Sequence, residues 1–241
     1  MVKNCICLIC FEPNDMWIKF LSKFNSYDIY ICVDDNNIDY KEKYIHYMNI
    51  HIIQIKEEDC KNNGFIDTNF AIRKYISGWD KALYYFSKIN TNYDNVWFLE
   101  DDVFFYNEET LLNIDSKYND SDMLSNQYYE NLLGENTDWL WPKIKIRIPP
   151  PYYCAMVCAV RMSKILLSKI KDYANEYMTL FFLEALFSTI CKTNNLKYDI
   201  PSELWSIAYR RNYNDDELNK SNLYHPIKDM NKHTYYRNML S

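Results

Sequence analysis

Three consecutive carboxylates, Glu100-Asp101-Asp102, directly follow the apolar run at residues 95–99. We call them the acidic triplet. Such a run is typical of a parallel strand covered on both faces, and open α/β sheets bind ligands at the carboxyl ends of their strands. Like charges crowded at a partly desolvated strand end repel one another. A divalent cation with oxygen ligands would compensate them and could bridge a diphosphate. The alternative is a solvated turn that ends the strand.

Glycine is scarce, with three residues in 241, and Gly64, Gly78 and Gly134 lie far apart. Phosphate-binding loops of the P-loop and dinucleotide types need several glycines within a few residues, so that the backbone can approach the anion. P-loop NTPases, Rossmann oxidoreductases and protein kinases are therefore excluded. The net charge of −6, from 27 basic and 33 acidic residues, argues against a nonspecific binder of nucleic acid or of anionic membranes.

The elements that would position the acidic triplet alternate between strands and helices over the first hundred residues. Apolar runs predict strands at residues 4–11, 27–33, 50–55 and 95–99. A short helix is predicted at residues 16–23, and apolar residues at helical spacing predict a longer one at residues 67–89. This alternation indicates an α/β fold with a doubly wound, mostly parallel sheet and helices on both faces.

The second half of the chain is less regular. It predicts strands at residues 122–125 and 152–160, and helices at residues 111–118, 163–173 (with Ser163 as N-cap) and 177–193. Residues 131–151 contain three successive prolines and predict a long loop, and the tail from Pro201 has little periodicity. Neither an internal repeat nor a linker is evident. We therefore expect one domain with two functional halves, at about 1–105 and about 106–241.

Most of the eight cysteines lie in apolar runs, where a free thiol packs as a small hydrophobe. Cys7 and Cys10 have the spacing of half a zinc site, but no second Cys/His pair follows at the expected distance. This usage favours structural thiols in a reducing compartment. The apolar run near the N-terminus is too short for a signal peptide or a bilayer span, so we expect a soluble, cytoplasmic protein without a membrane span.

In its place after the apolar run, the acidic triplet resembles the DxD-type motif of GT-A glycosyltransferases, in a Glu-Asp-Asp form. The resemblance extends over most of the chain. Asp34 and Asp35 end the second predicted strand, where members of this fold contact the nucleoside. Residues 73–86 (RKYISGWDKALYYF) are similar to the helix before the DxD strand, and residues 223–228 (LYHPIK) resemble the C-terminal His motif. The resemblance implies a GT-A-like domain whose first half binds a nucleotide-sugar and whose second half binds the acceptor.

The resemblance also implies a ligand set for Mn²⁺ or Mg²⁺. Asp102 and the imidazole of His225 would ligate the cation, with Glu100 acting through water or the ribose. For His225 the alternative is a surface residue of the tail. The donor would be a nucleotide-sugar, with a UDP-sugar favoured. Its implied contacts are Phe11, Asp34, Asp35, Arg73, Asp101 and Lys228.

Glu184 stands where the family often carries its catalytic acidic residue. It lies in an apolar stretch, LFFLEALF, and burial would raise its pKa toward the range of a general base. It would then deprotonate an acceptor hydroxyl, and the configuration of the sugar would be inverted. A structural or solvent-facing carboxylate is the alternative. The acceptor would be a glycan, a protein or another hydroxyl compound. The residues implied for binding it are aromatic, because sugar faces pack well on aromatic rings: Trp139, Trp141, Tyr152 and Tyr153. Packing within the loop would explain these aromatic residues equally well.

One departure concerns the glycine-rich turn that many members carry before the acceptor-side helix. The comparable residues 152–156 (YYCAM) contain no glycine. Two other functions remain possible from the sequence. One is a catalytically inactive glycan- or nucleotide-binding module of the same fold. The other is a metal-dependent nucleotidyltransferase, which would usually need a glycine-rich basic loop near the first strand, whereas residues 10–13 read CFEP.

Overall fold

One seven-stranded sheet includes strands from both halves of the chain in the computed structural model, which describes residues 2–70, 76–135 and 139–241. Its strands are β1 (Asn4–Cys10), β2 (Asp28–Val33), β3 (Ile50–Ile53), β4 (Asn95–Glu100), β5 (Met123–Asn131), β6 (Tyr152–Ser163) and β7 (Tyr198–Asp199). Two short strands, β8 (Ser206–Ile207) and β9 (Tyr224–His225), form a separate parallel pair.

The order of the sheet is β3-β2-β1-β4-β6-β5-β7. The first four strands are parallel to one another, and β6 runs antiparallel to both β4 and β5. From β1 the chain builds outward through β2 and β3, and it then returns to add β4 on the other side of β1. Open α/β sheets bind their ligands outside the carboxyl ends of the strands at such a reversal. The acidic triplet, at the end of β4, lies at this position.

Helices cover both faces of the sheet. They are α1 (Asp15–Leu21), α2 (Tyr40–Lys43), α3 (Glu57–Asn62), α4 (Gly78–Tyr84), α5 (Glu108–Lys117), α6 (Lys164–Tyr177), α7 (Leu183–Thr193) and α8 (Met230–Leu240). Alternate residues of β1 belong to two buried clusters: Cys7 and Ile9 pack with α4, α6 and α7, whereas Leu8 and Cys10 pack with α1 and α5. The predicted fold class, a mostly parallel sheet with helices on both faces, is confirmed.

The helix predicted at residues 67–89 differs in its start. Where the segment is described, α4 begins at Gly78. The carboxylate of Asp80 fixes this start, because it accepts hydrogen bonds from the N–H and the hydroxyl of Ser77 and from the N–H of Thr68. These bonds satisfy donors at the helix start. After α4 the helix widens into a single π-helical turn, Tyr85–Ile89.

The helix predicted at residues 177–193 begins at Leu183 instead. Met178, in the left-handed region with a φ of 52°, ends α6. The N–H groups of Leu180 and Leu183 then donate to the carbonyls of Ile66 and Thr68. Residues 179–182 are therefore held against the loop that precedes α4, and these tertiary hydrogen bonds replace the helix that the apolar pattern predicted.

The C-terminal tail contains more regular structure than its weak periodicity predicted, namely β8, β9 and α8. His233 of α8 is fully buried, with its ring against those of Trp17 and Phe104. Its Nε2 lies 2.7 Å from the carbonyl oxygen of Ile227 and donates to it. Burial lowers the pKa of His233 to about 4, so the ring is neutral and fixes α8 beside α1.

A buried ion pair joins α5 to β6. Nη1 of Arg161, a side chain that is fully buried, lies 2.8 Å from Oδ1 of Asp115. The guanidinium also donates to the carbonyls of Tyr118 and Ser121, and the Asp115 carboxylate accepts from the Trp97 indole. These hydrogen bonds compensate the cost of burying two charges.

The cysteines are free thiols, and apart from Cys158 they are buried. Cys7 and Cys10 belong to buried clusters on opposite faces of the sheet, as expected for structural thiols. None of the helices in the described ranges combines the length and the apolar character needed to cross a bilayer.

Candidate active site

The acidic triplet is built into the fold. Glu100 is the last residue of β4, and the turn after it is closed by a hydrogen bond from the Val103 N–H to the Glu100 carbonyl, 3.0 Å. The indole of Trp17 donates to the Asp101 carbonyl at 2.8 Å, which ties the turn to α1. The side chains of Glu100 and Asp102 are only 31% and 19% exposed. The triplet therefore faces a partly desolvated site rather than open solvent.

His225 reaches this site because β9 is hydrogen bonded to the chain just after the triplet. Phe104 and Tyr224 exchange both backbone hydrogen bonds, at 2.8 and 2.9 Å. The Ile227 N–H donates to the Asp102 carbonyl at 2.7 Å. Three main-chain bonds thus fix the register of β9 against the acidic turn, with His225 between the two points of attachment.

The imidazole of His225 presents Nε2 to the carboxylates. Its Nδ1 lies 2.8 Å from the Ala208 carbonyl, which can only accept, so Nδ1 carries a proton. Nε2 lies 3.2 Å from Oδ1 of Asp102 and 3.9 Å from Oε2 of Glu100. Burial lowers the pKa of His225, but the neighbouring carboxylate of Asp102, the Ala208 carbonyl and the charge of Glu100 outweigh this effect, and the pKa is raised. The site therefore favours positive charge at Nε2, which a proton or a bound cation can supply.

Negative charge is concentrated around His225. Burial and the charge of Asp102 raise the pKa of Glu100. The indole of Trp79 donates a hydrogen bond to Oε1 of Glu100 at 2.7 Å, which lowers the pKa but does not cancel the rise. Burial and the charges of Asp102 and Glu100 raise the pKa of Asp101 to about 6. These shifts reflect an excess of carboxylate over positive charge, the condition under which a bound cation is most strongly stabilised.

The residues present fit a divalent cation. Oδ1 of Asp102 is buried, and Nε2 of His225, 3.2 Å away, is not aligned for a hydrogen bond to it. The neighbouring Nε2 of His225 belongs to a side chain that is 9% exposed. Its orientation by a backbone carbonyl through Nδ1 is the usual arrangement for a metal-ligating histidine. A cation would satisfy both atoms at once, with Glu100 within reach of the same position.

Glu184 occupies the first turn of α7. Burial and the charge of Glu100 raise its pKa to about 7, against a smaller lowering by His225. Burial also raises the pKa of the Cys158 thiol, with contributions from the charges of Glu100, Asp102 and Glu184. Glu184 therefore lies near enough to interact electrostatically with the acidic triplet, and its pKa suits proton transfer near neutral pH.

Residues expected to contact the donor lie at the ends of β1 and β2. Phe11 directly follows β1 and is 63% exposed. Asp34 follows β2 and pairs with the buried Lys81, whose Nζ lies 2.8 Å from Oδ1. The Asp35 carboxylate instead accepts hydrogen bonds from Asn37 and Tyr40, so it closes its own loop. Arg73 lies outside the described residues.

Lys228 lies three residues beyond His225, at a cleft of about 490 Å³. Arg210, Arg211 and Lys232 also line this cleft, together with Asp229. Arg211 is partly engaged, because it pairs with Glu217 at 2.6 Å. The cleft therefore carries an excess of positive charge within an acidic protein.

The aromatic residues expected at the acceptor side form one cluster next to the start of α7. The rings of Trp139 and Trp141 are 4.8 Å apart, and Trp139 also contacts Phe182, the residue before α7. Trp141 packs on Tyr152 at 6.1 Å, and both line a cavity of about 490 Å³. Tyr153 is held by backbone hydrogen bonds with the Thr189 hydroxyl of α7. The cluster thus extends from this cavity to the helix that carries Glu184.

No protein-family model matches the sequence, and no curated protein matches it. Solved structures similar to it include the galactosyltransferase LgtC in complex with donor and acceptor sugar analogues, at 12% identity over 99% of this chain and 96% of that chain, with a TM-score of 0.49. Mouse xyloside xylosyltransferase 1 is 11% identical over 93% and 97%, with a TM-score of 0.44. A 4-diphosphocytidyl-2C-methyl-D-erythritol synthase from Anaerococcus prevotii is 10% identical over 99% and 96%, with a TM-score of 0.47.

Two of these proteins are glycosyltransferases by name, and the third is a synthase.

Several residues of the site gave no signal in the sequence. Trp79 and Lys81 each hold an acidic residue of the site, and the Ala208 carbonyl orients His225. Cys158 of β6 places its sulfur in a group with a Glu100 oxygen and a His225 nitrogen, all within 4.8 Å of one another. In the antiparallel register Leu99 pairs with Ala159, which brings Cys158 beside Glu100. That pairing is long-range, so the local pattern could not have identified the thiol.

Proposed function

We propose that this protein is a metal-dependent GT-A glycosyltransferase. It would move a sugar from a nucleotide-sugar, with a UDP-sugar as the favoured donor, to a hydroxyl acceptor. The observation that carries the proposal is Nε2 of His225, buried and directed at Asp102 and Glu100, with Glu184 nearby at a raised pKa. The order of the motifs along the sequence supports the same class.

The metal site would comprise Asp102, His225 and Glu100, and Mn²⁺ or Mg²⁺ would be the ion. When bound, the cation would act as a Lewis acid that stabilises the negative charge accumulating on the departing diphosphate. His225 would serve as a neutral ligand through Nε2, because Nδ1 already donates to the Ala208 carbonyl. A proton held on Nε2 would leave when the cation binds.

Glu184 would act as general base. As its carboxylate takes the proton of the acceptor hydroxyl, the hydroxyl oxygen bonds to the anomeric carbon and the bond from that carbon to the diphosphate oxygen breaks. The nucleoside diphosphate leaves with the electron pair of that bond. Attack from the face opposite the leaving group inverts the configuration. A pKa of about 7 allows Glu184 to take up a proton in one step and return it to solvent afterwards.

The donor would lie across the carboxyl ends of β1, β2 and β4. Phe11 offers an exposed ring for the nucleoside, and Asp34 is held in place by the buried Lys81. Asp101, whose carbonyl is fixed by Trp17, would orient the neighbouring groups. Lys228 and its basic cleft would offset phosphate charge. Asp35 and Arg73 complete the proposed donor contacts.

The acceptor would approach from the aromatic cluster next to α7. Trp139, Trp141, Tyr152 and Tyr153 would pack against sugar faces, since aromatic rings provide rigid apolar surfaces for ring C–H groups. The contact between Trp139 and Phe182, at 5.8 Å, links this surface to the first turn of α7. An acceptor seated there would present a hydroxyl toward Glu184.

The test is nucleotide release from a panel of UDP- and GDP-sugars with Mn²⁺, with and without a chelator. We expect metal-dependent formation of nucleoside diphosphate, loss of donor binding in Asp102→Ala, and retained donor binding without transfer in Glu184→Gln. Glu176→Gln, an exposed carboxylate of α6, is the matched control and should behave as wild type.

Three outcomes would contradict the proposal. Pyrophosphate release from a nucleoside triphosphate would indicate a nucleotidyltransferase. Metal-dependent binding of donors without turnover of any of them would indicate a binding module. Absence of binding to every nucleotide-sugar would remove the donor site altogether.

A further inference from the structure

A thiol lies among the proposed metal ligands. The sulfur of Cys158, one oxygen of Glu100 and one nitrogen of His225 all lie within 4.8 Å of one another. Cys158 is partly exposed, whereas the other seven cysteines are buried. Its S–H donates to the Met156 sulfur at 3.9 Å, and its own sulfur still lies within 4.8 Å of the Glu100 and His225 ligand atoms.

The donor set therefore contains sulfur, imidazole nitrogen and carboxylate oxygen together. Mg²⁺ and Mn²⁺ favour oxygen ligands, whereas Zn²⁺ binds thiolate, imidazole and carboxylate in a tetrahedral arrangement. A site of given ligands also binds Zn²⁺ more tightly than Mn²⁺. A Mn²⁺ ion could use Asp102, Glu100 and His225 and leave the sulfur unbound. For Zn²⁺ the sulfur is the most favourable ligand of the four.

We propose that Glu100, Asp102, Cys158 and His225 form a Zn²⁺ site in which the Cys158 sulfur is a ligand, and that Zn²⁺ bound in this way closes the site to the donor diphosphate. When the ion binds, the S–H bond breaks, a sulfur–zinc bond forms and the proton passes to solvent. The zinc keeps its oxidation state, and no other reactant is needed.

Three of the four proposed ligand atoms are grouped in the structure, and the fourth, on Asp102, lies next to one of them. Zinc–ligand distances of about 2.0–2.3 Å place neighbouring ligand atoms about 3.5 Å apart. Nε2 of His225 already lies 3.2 Å from Oδ1 of Asp102 and 3.9 Å from Oε2 of Glu100. The separations of up to 4.8 Å within the group of Glu100, Cys158 and His225 require side-chain movements of about 1 Å.

Four protein ligands occupy all the coordination positions of a tetrahedral zinc ion, as in structural zinc sites, and leave no position for substrate. Mn²⁺ in octahedral coordination would keep open positions for phosphate oxygens. The consequence for transfer rests on the proposed function, whereas the binding of zinc through sulfur does not. Zinc would thus act as an inhibitor that competes with the activating ion at the same residues.

Cobalt(II) is the spectroscopic probe of this site, because a thiolate ligand gives a charge-transfer absorption that oxygen and nitrogen ligands do not give. We expect this absorption when Co²⁺ is added to the full chain. It should disappear in Cys158→Ser and persist in the control Cys154→Ser, a buried thiol of β6 that packs in the cluster on the other face. In calorimetry Zn²⁺ affinity should fall at least about tenfold more than Mn²⁺ affinity in Cys158→Ser.

The same charge-transfer absorption in Cys158→Ser as in the wild type would overturn the zinc site. So would equal losses of Zn²⁺ and Mn²⁺ affinity. Closure is tested separately: Zn²⁺ added to the Mn²⁺-loaded protein should stop nucleotide release, and at least about ten times more Zn²⁺ should be needed in Cys158→Ser. Unchanged release with zinc bound would overturn closure. A protein that gives the cobalt–thiolate spectrum but turns over no nucleotide-sugar would overturn the proposed function and leave the zinc site standing.

Discussion

Replacing Trp79 with phenylalanine should lower the affinity for divalent cations by about 10- to 100-fold. Trp79 is 3% exposed in the first turn of α4, and its Nε1 lies 2.7 Å from Oε1 of Glu100. Phenylalanine keeps a ring against Phe98 and Phe187 but has no hydrogen-bond donor. The substitution therefore frees one proposed ligand to rotate and changes nothing that the cation would touch directly.

The magnitude follows from the hydrogen bond that is lost. A hydrogen bond to a charged group contributes about 1.5–3 kcal/mol, and a tenfold change in affinity corresponds to about 1.4 kcal/mol. The Trp79 bond lowers the pKa of Glu100 against the raising effect of burial. Without it that pKa rises further, so protons compete better with the cation. The loss of affinity should consequently grow as the pH falls.

The assay is calorimetric titration with Mn²⁺ between about pH 6 and pH 8, with Trp17→Phe as the matched control. Trp17 is also a buried tryptophan, and its indole donates at 2.8 Å to the Asp101 carbonyl, a backbone group of the same turn. Each variant should lose about 1–3 kcal/mol of unfolding free energy in urea, but only Trp79→Phe should lose cation affinity. Wild-type affinity in Trp79→Phe, or an equal loss in Trp17→Phe, would refute the assignment of Glu100 as a ligand held by the indole.

Four further predictions concern catalysis and stability. Glu184→Gln should reduce transfer by about 10²–10⁴-fold in kinetic assays. The pKa of Glu184 is raised to about 7 in the folded protein. The unfolding free energy of the metal-free wild type should therefore fall as the pH rises from about 4.5 to 7. Urea titrations should show a smaller fall in Glu184→Gln. Arg161→Met should lower the free energy of unfolding, measured in urea, by about 3–5 kcal/mol, since it leaves the Asp115 carboxylate buried and unpaired. Adding Asp115→Asn should recover part of that loss. Gly78→Ala should lower the free energy of unfolding by about 1–3 kcal/mol, since its Cβ would lie 2.8 Å from Cγ2 of Ile9. In a double-mutant cycle, the same substitution made in an Ile9→Ala background should lower it by less.

The sequence was sufficient for the elements whose stability is local or whose burial is complete. The predicted strands at residues 4–11, 27–33 and 95–99 agree with β1, β2 and β4 to within one residue at each end. The acidic triplet was expected at a strand end facing a ligand site, and it lies where the strand order reverses. An apolar run covered on both faces and followed by charged residues has few other places in an α/β sheet, which is why these expectations were reliable.

The parts that the sequence could not provide depend on long-range hydrogen bonds. The start of α7 depends on Ile66 and Thr68, which accept from the chain just before it and at its first residue. Cys158 reaches Glu100 only through the antiparallel pairing of β4 with β6. Residues far apart in the sequence supply each of these contacts, so apolar periodicity within a short window could not reveal them.

The scarcity of glycine constrains how such a site can handle a diphosphate. Without a glycine-rich loop, such a site has no cradle of backbone N–H groups for a phosphate, and the structure instead places Glu100 and Asp102 beside His225. Such a cluster repels an anion unless a cation is present, so the proposed function requires cation binding before or together with donor binding. Gly78 fits this arrangement: it allows α4 to approach the ends of β1 and β2 closely enough for Trp79 to reach Glu100. Its small size thus serves the orientation of Glu100, a proposed metal ligand, rather than direct contact with phosphate.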